Sequence, residues 1–199
     1  MQVLLTHARM VGYNSRKIKE DVPMELLNQM LHRRSTRQFN DQPLTEEQIQ
    51  TILMAALSSP TGHGYYPCDI IVVTDKEVLK KLEGTRDGAG KMIAACGAAF
   101  FVIGDKVKSE TWIEDCSIML SNMHLMSDAM GLGSCWIQAR VRQAADGQPA
   151  DQFVRGILGY PEQFALEACL AVGNIDVHPE PHDQAFFDKM MEKVHRDKF

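Results

Sequence analysis

Arg33, Arg34 and Arg37 crowd around Ser35 and Thr36, just beyond a stretch that reads as a helix. A guanidinium is a planar fork of donors that matches phosphate oxygens, and the two hydroxyls add donors of their own. The cluster therefore reads as an anion site, most plausibly for a phosphate. A plainer reading stays open: basic side chains at a helix C-terminus, favoured by the helix dipole and spread into solvent.

Other segments that invite a chemical reading carry less. GTRDGAGKM, residues 84–92, fails as a phosphate-binding P-loop. Five residues separate Gly84 from Gly90, and Met92 stands where a magnesium-binding hydroxyl belongs. His178 and His182 bracket HPEPH, but its two prolines oppose a shared helical face and no third ligand is evident, so no metal site is expected. His63 sits in a glycine-rich loop, placed either to touch a ligand or to face solvent. No G-x-S-x-G occurs, which removes support for a serine hydrolase of that type. The five cysteines (Cys68, Cys96, Cys116, Cys135 and Cys169) are odd in number and widely spaced, with no C-x-x-C. They read as reduced core thiols of a cytoplasmic protein.

These residues must be positioned by an ordinary globular domain. The chain has 199 residues, 45% hydrophobic and 24% charged. That length fits one domain and excludes a disulfide-stapled miniprotein, a collagen-like fibre and a disordered chain. The net charge of -5 disfavours a protein that grips nucleic acid. The longest nearly apolar run, Met92 to Gly104, is short of the ~20 residues a membrane span needs. MQVLLTHARM lacks the apolar core of a secretory signal. Neither a membrane nor a nucleic-acid partner is expected.

Residues 1–20 read as an N-terminal arm and 21–199 as a single domain. Asp21 and Pro23 look like a helix start, with Leu26, Leu27, Met30 and Leu31 as its apolar stripe. Thr45 and Gln48 form a capping box ahead of Ile49, Ile52, Leu53, Ala56 and Leu57. Strands are expected at 70–74, 98–103, 134–138 and 166–172, helices near 75–83, 151–158 and 185–194, and a loop at 84–90. Between Trp112 and Met130 a helix is apolar nearly all round, which suits a central core helix or a subunit interface. The alternation of strands and helices predicts an α/β or α+β domain with a small sheet under several helices.

RRSTRQFNDQPLTEEQIQTILMAALSSPTGHG, residues 33–64, resembles the opening of the nitroreductase family of FMN-dependent oxidoreductases. WIEDCSIMLSNMHLMSDAMGLGSCWIQ (112–138) is similar to that family's long helix and following strand, and FVRGILGYPE (153–162) to its V-R-x-x-L-G-I-P-E. The ending KVHRDKF resembles the tail of a short subgroup. The resemblance implies an α+β, three-layer α/β/α sandwich with a central, mainly antiparallel sheet. It also implies an intertwined homodimer with FMN at the interface.

By the same resemblance, Arg33, Arg34 and Ser35 hold the phosphate and ribityl end. Arg37 lies near the pyrimidine edge, where a cation stabilises the anionic reduced flavin. Pro60, Thr61, Gly62 and Gly64 belong to a loop that reaches the flavin from the partner subunit. Trp136, Ile137 and Gln138 pass the ring, with a backbone N–H near N5. Lys193, with Arg196 as the alternative, is the C-terminal phosphate contact. The implied activity moves electrons from NADH or NADPH to nitroaromatics, quinones or related conjugated acceptors by a ping-pong route, with no side chain as catalytic acid or base. Gly64, Tyr66 and Cys68 depart from the family's Asn, Gln and Trp, and motivate an alternative: a non-catalytic flavin-binding or flavin-sensing dimer. Tyr65 or Tyr66 is placed either to cover the flavin or to pack within its loop.

Overall fold

A computed structural model describes residues 24–199. The expected arm, 1–20, and the helix-start signal at Asp21 and Pro23 lie outside the described residues. The chain divides into two compact units, a large one spanning Arg33–Pro179 and a smaller one from the segments on either side.

In the smaller unit, helix α1 (Met24–His32) leaves Leu26 and Met30 exposed. Helix α7 (Gln184–Met191) starts where the Asp183 carboxylate accepts from the Phe186 N–H. It stops short of the expected Val194, because the chain beyond Met191 turns.

The large unit is built on four strands: β1 (Cys68–Val73), β2 (Ala98–Asp105), β3 (Gly133–Gln138) and β4 (Phe164–Gly173). Their order is β1-β2-β4-β3, and every neighbouring pair is antiparallel. The two central strands are buried on both faces, so they read as apolar runs and not as alternating patterns. Phe100, Val102, Leu170 and Val172 pack with helix α2 (Glu46–Leu57) and helix α5 (Trp112–Ala129) on one face. Val73, Phe101, Cys169 and Ala171 pack on the other face with helices α3 (Lys76–Lys81), α4 (Lys91–Ala95) and α6 (Ala150–Leu158). The expected three-layer α+β sandwich is thus the observed architecture of this unit.

Several local signals act as anticipated. Thr45 Oγ1 accepts from the Gln48 N–H at 3.2 Å, and Gln48 Oε1 accepts from the Thr45 N–H at 2.8 Å, completing the capping box of α2. The FVRGILGYPE segment proves to be a structural clamp. Gly159 closes α6 in the left-handed region, at φ 74°. Arg155 then donates to the carbonyls of Pro161 and Phe164 and to the Asp151 carboxylate.

Two elements differ from the sequence reading. The loop expected at 84–90 overlaps a 3-10 turn, Leu82–Thr85, and is followed directly by the unanticipated helix α4. Gly90 permits this, since a Cβ there would collide with the Glu83 carbonyl. Helix α5, within the chain, is buried along one stripe: Asp115, Cys116, Met119, Leu120, Met123, His124, Ser127 and Asp128. Its opposite side leaves Ile118 exposed and Leu125 half-buried.

Replacing Thr45 with Ala removes one half of the reciprocal cap and should lower stability by about 1 kcal/mol. Thr45→Ser should stay close to wild type. Urea unfolding of both variants measures the difference.

Candidate active site

Residues 33–37 dock onto the free edge of β3. The Thr36 N–H donates to the Ser134 carbonyl at 2.9 Å. Ser134 therefore turns its backbone outward, and strand alternation turns Trp136 and Gln138 to the same edge. The backbone of Ile137 faces β4, and its side chain is fully buried against the α3, α4 and α6 layer. Of the three expected ring-side residues, Ile137 thus offers a ligand neither its N–H nor its side chain.

Behind this segment runs a buried polar chain that the sequence reading missed. Arg33 Nη1 donates to His124 Nε2 at 2.9 Å, and His124 Nδ1 lies 2.6 Å from Ser134 Oγ. A guanidinium has only donors, so Nε2 is an acceptor and the proton sits on Nδ1, facing Ser134. Burial holds the His124 pKa down at about 4; the Arg33 charge lowers it further, while Asp128 opposes both. The Asp128 carboxylate itself meets His178 Nε2 at 2.7 Å.

Arg33, exposed Arg37 and a third arginine, Arg86, all place positive charge near enough to act on the buried Cys135 thiol. Burial raises that thiol's pKa, and Arg37, Arg86 and Arg33 all act against the rise. Among the described residues, neither Arg37 nor Arg86 pairs with a carboxylate. Arg34 and Ser35 are half-buried in the same segment. Thr36 Oγ1 is buried and has no hydrogen-bond partner among the described residues. This donor set, rich in guanidinium and hydroxyl groups and poor in nearby acid, fits a phosphorylated, anionic cofactor such as FMN.

At the strand's end, Trp136 Nε1 donates to Gln138 Oε1 at 2.8 Å, and Gln138 Nε2 donates to Glu167 Oε1 at 2.9 Å. Glu167 is the extra residue of a β-bulge in β4, where the pairing shifts between Val102 and Ile103. Its buried carboxylate also accepts from Arg140 Nε at 2.6 Å. The Gln138 amide is thereby held from both ends.

The expected loop lies elsewhere. The Thr61 hydroxyl donates to Asp115 Oδ2 at 2.6 Å, and the Gly62 N–H donates to Asp115 Oδ1 at 3.0 Å. Pro60 and Gly64 are exposed. Gly64 has φ +70°, with open space around the position a Cβ would take. Asp115 and His124 stand nine residues apart on α5, about 13 Å along its axis at 1.5 Å per residue. Within one chain the loop and the arginine segment are therefore separate. Lys193 and Arg196 are exposed beyond α7 in the smaller unit.

Residues 30–86 and 85–174 match the family model for the nitroreductase family. The chain belongs to the nitroreductase family. An FMN-dependent nitroreductase structure from Clostridium difficile is 35% identical, with a TM-score of 0.83 over 87% of this chain and 99% of that one. A curated relative from Archaeoglobus fulgidus, named for NADH dehydrogenase and NAD(P)H nitroreductase activity, is 29% identical over 88% of this chain and 99% of its own. The NADPH-flavin oxidoreductase of Vibrio harveyi is 28% identical over 76% of this chain and 66% of its own. The nitroreductase segments at 33–64 and 112–138 supply the arginine segment, the Asp115-held loop and the β3 edge.

The buried histidine makes a pH prediction. Unfolded His124 takes up a proton below about pH 6.5, but the folded residue does so only near pH 4. Stability is therefore complete above pH 6.5 and falls as pH drops from there toward 4, by about 3 kcal/mol for this group. His124→Gln should flatten that part of the profile. Urea midpoints at neutral pH and near pH 4.5 give the comparison.

Proposed function

We propose that this protein is an FMN-dependent oxidoreductase that draws electrons from NADH or NADPH and passes them to nitroaromatic, quinone or related conjugated acceptors. The observation that carries the reading is the arginine segment docked on the β3 edge, in a chain of the nitroreductase family. The names of the Clostridium difficile, Vibrio harveyi and Archaeoglobus fulgidus relatives support FMN and NAD(P)H as cofactor and donor.

FMN, when bound, supplies the two-electron chemistry, with donor and acceptor using one pocket in turn. The chain's own residues bind and orient it. Arg33, held at a fixed angle by His124, together with Arg34 and Ser35, meets the phosphate and ribityl end. Arg37 presents its charge to the pyrimidine edge. Trp136 and Gln138 offer outward N–H groups along the β3 edge toward N5, and the clamped Gln138 side chain keeps that edge rigid. No side chain is assigned as a catalytic acid or base.

The separation of the Pro60–Gly64 loop from the arginine segment supports a homodimer in which each chain lends its loop to the partner's site. The exposed Met54, Leu57 and Ile118 of α2 and α5 support an apolar subunit contact. A cytoplasmic location rests on the reduced cysteine usage. Among the described residues no helix is long and apolar enough to cross a membrane.

The test is the visible spectrum, recorded without oxygen before and after NADH or NADPH is added. A flavin spectrum that bleaches is expected, and a flavin that stays oxidised with both donors would establish the non-catalytic alternative. Arg37→Ala removes a charged contact and should weaken FMN binding about tenfold to a hundredfold. Fluorescence titration of the apoprotein reads this, and unchanged affinity together with unchanged flavin potential would remove Arg37 from the site.

A further inference from the structure

Cys68 and Cys116 form the one close pair of thiols among the described residues, with their Sγ atoms 3.1 Å apart. The packing around them is built for this approach. Cys68 opens β1 and lies directly across from Gly104 of β2. A Cβ on Gly104 would stand 3.1 Å from Cys116 Sγ and press into the Trp112 ring. The missing side chain thus lets the Cys116 sulfur settle over the Cys68–Gly104 pair. Cys68 is partly exposed and borders a pocket of about 100 Å³, whose wall includes Pro60, Thr61, Tyr66, Asp115 and Met119. Cys116 is fully buried behind it.

We infer that Cys68 and Cys116 are a redox-active dithiol, with Cys68 meeting a small hydroperoxide and Cys116 resolving the product as an intramolecular disulfide. The hydrogen bonds assign these roles. The Cys68 thiol points to the Trp112 carbonyl at 3.7 Å. The S–H between the two sulfurs is then supplied by Cys116, which leaves the Cys68 lone pairs as acceptors. A thiolate on Cys68 would gain that same hydrogen bond, and its sulfur is the one the pocket reaches. A cavity holds a water in roughly 10–15 Å³ on this measure, so the pocket admits an oxidant the size of hydrogen peroxide.

In the first step the Cys68 sulfur attacks a peroxide oxygen. An S–O bond forms, the O–O bond breaks, and water or an alcohol departs, leaving Cys68 as a sulfenic acid. In the second step the Cys116 sulfur attacks the Cys68 sulfur. The S–S bond forms, the S–O bond breaks, and the hydroxyl leaves as water with the Cys116 proton. The thiols lose two electrons in total and the peroxide gains them. A disulfide needs the sulfurs at about 2.05 Å, so the pair must close by only about 1 Å.

The experiment uses the full-length protein, reduced with dithiothreitol, desalted and treated with a slight excess of hydrogen peroxide. Titration of the five thiols after denaturation should show two lost, and the intact mass should fall by about 2 Da. Peptide mapping should join Cys68 to Cys116, and dithiothreitol should restore all five thiols. Cys116→Ser should instead leave a Cys68 sulfenic acid that dimedone traps, and Cys68→Ala should show neither product. Five surviving thiols, a bridge between other cysteines, or a bridge only between two chains would overturn the inference. Because the mapping is done on the wild-type protein, the result does not depend on the variants folding. It is read in thiols and mass, so it stands apart from the flavin assignment.

Discussion

A single backbone hydrogen bond, from the Thr36 N–H to the Ser134 carbonyl, ties the arginine segment to the edge of the sheet. β3 is an edge strand, and an uncovered edge is a row of unpaired backbone groups. Covering the start of that edge with residues 33–37 satisfies part of the row and brings arginines to it. The rest of the edge, at Trp136 and Gln138, pairs with no further strand among the described residues. The Arg33–His124–Ser134 chain then fixes the angle at which the segment lies.

Helix α5 serves both ends of this arrangement. It spends its buried stripe partly on polar groups, which is costly unless each finds a partner. Asp115 meets that condition by holding the Thr61–Gly62 turn, and His124 by bridging Arg33 and Ser134. Its outer side leaves Ile118 exposed and Leu125 half-buried. One helix thus orders the arginine segment, fixes the loop and presents an apolar face.

The β-bulge at Glu167 has a comparable role in the sheet. The extra residue turns a carboxylate inward at the end of β3, where it ties Gln138 to Arg140. On the other side of the sheet, where edge strand β1 pairs with β2, the absence of a side chain at Gly104 of β2 lets two sulfurs meet. The departures from family residues at Gly64 and Cys68 therefore differ in kind. Gly64 occupies an open left-handed turn, whereas Cys68 takes part in a packed contact with Cys116.

The sequence by itself determined most of the elements and the arginine-rich segment at 33–37. The capping box at Thr45, the unbroken apolar runs of β2 and β4, and the arginines at 33–37 are local or periodic signals. Such signals are set by covalent neighbours and burial, and they survive without knowledge of distant contacts. Helix α4 was not legible, because it depends on a close pass of Gly90 by Glu83, a contact between neighbouring turns. Asp115, His124 and Asp128 were hidden by the apolar residues around them, although their positions on one stripe of a helix signal buried groups in need of partners. Arg86, Glu167 and the Cys68–Cys116 pair were decided only by tertiary structure. Their partners lie 27 to 48 residues away or more along the chain, and only strand register and helix placement bring them within reach.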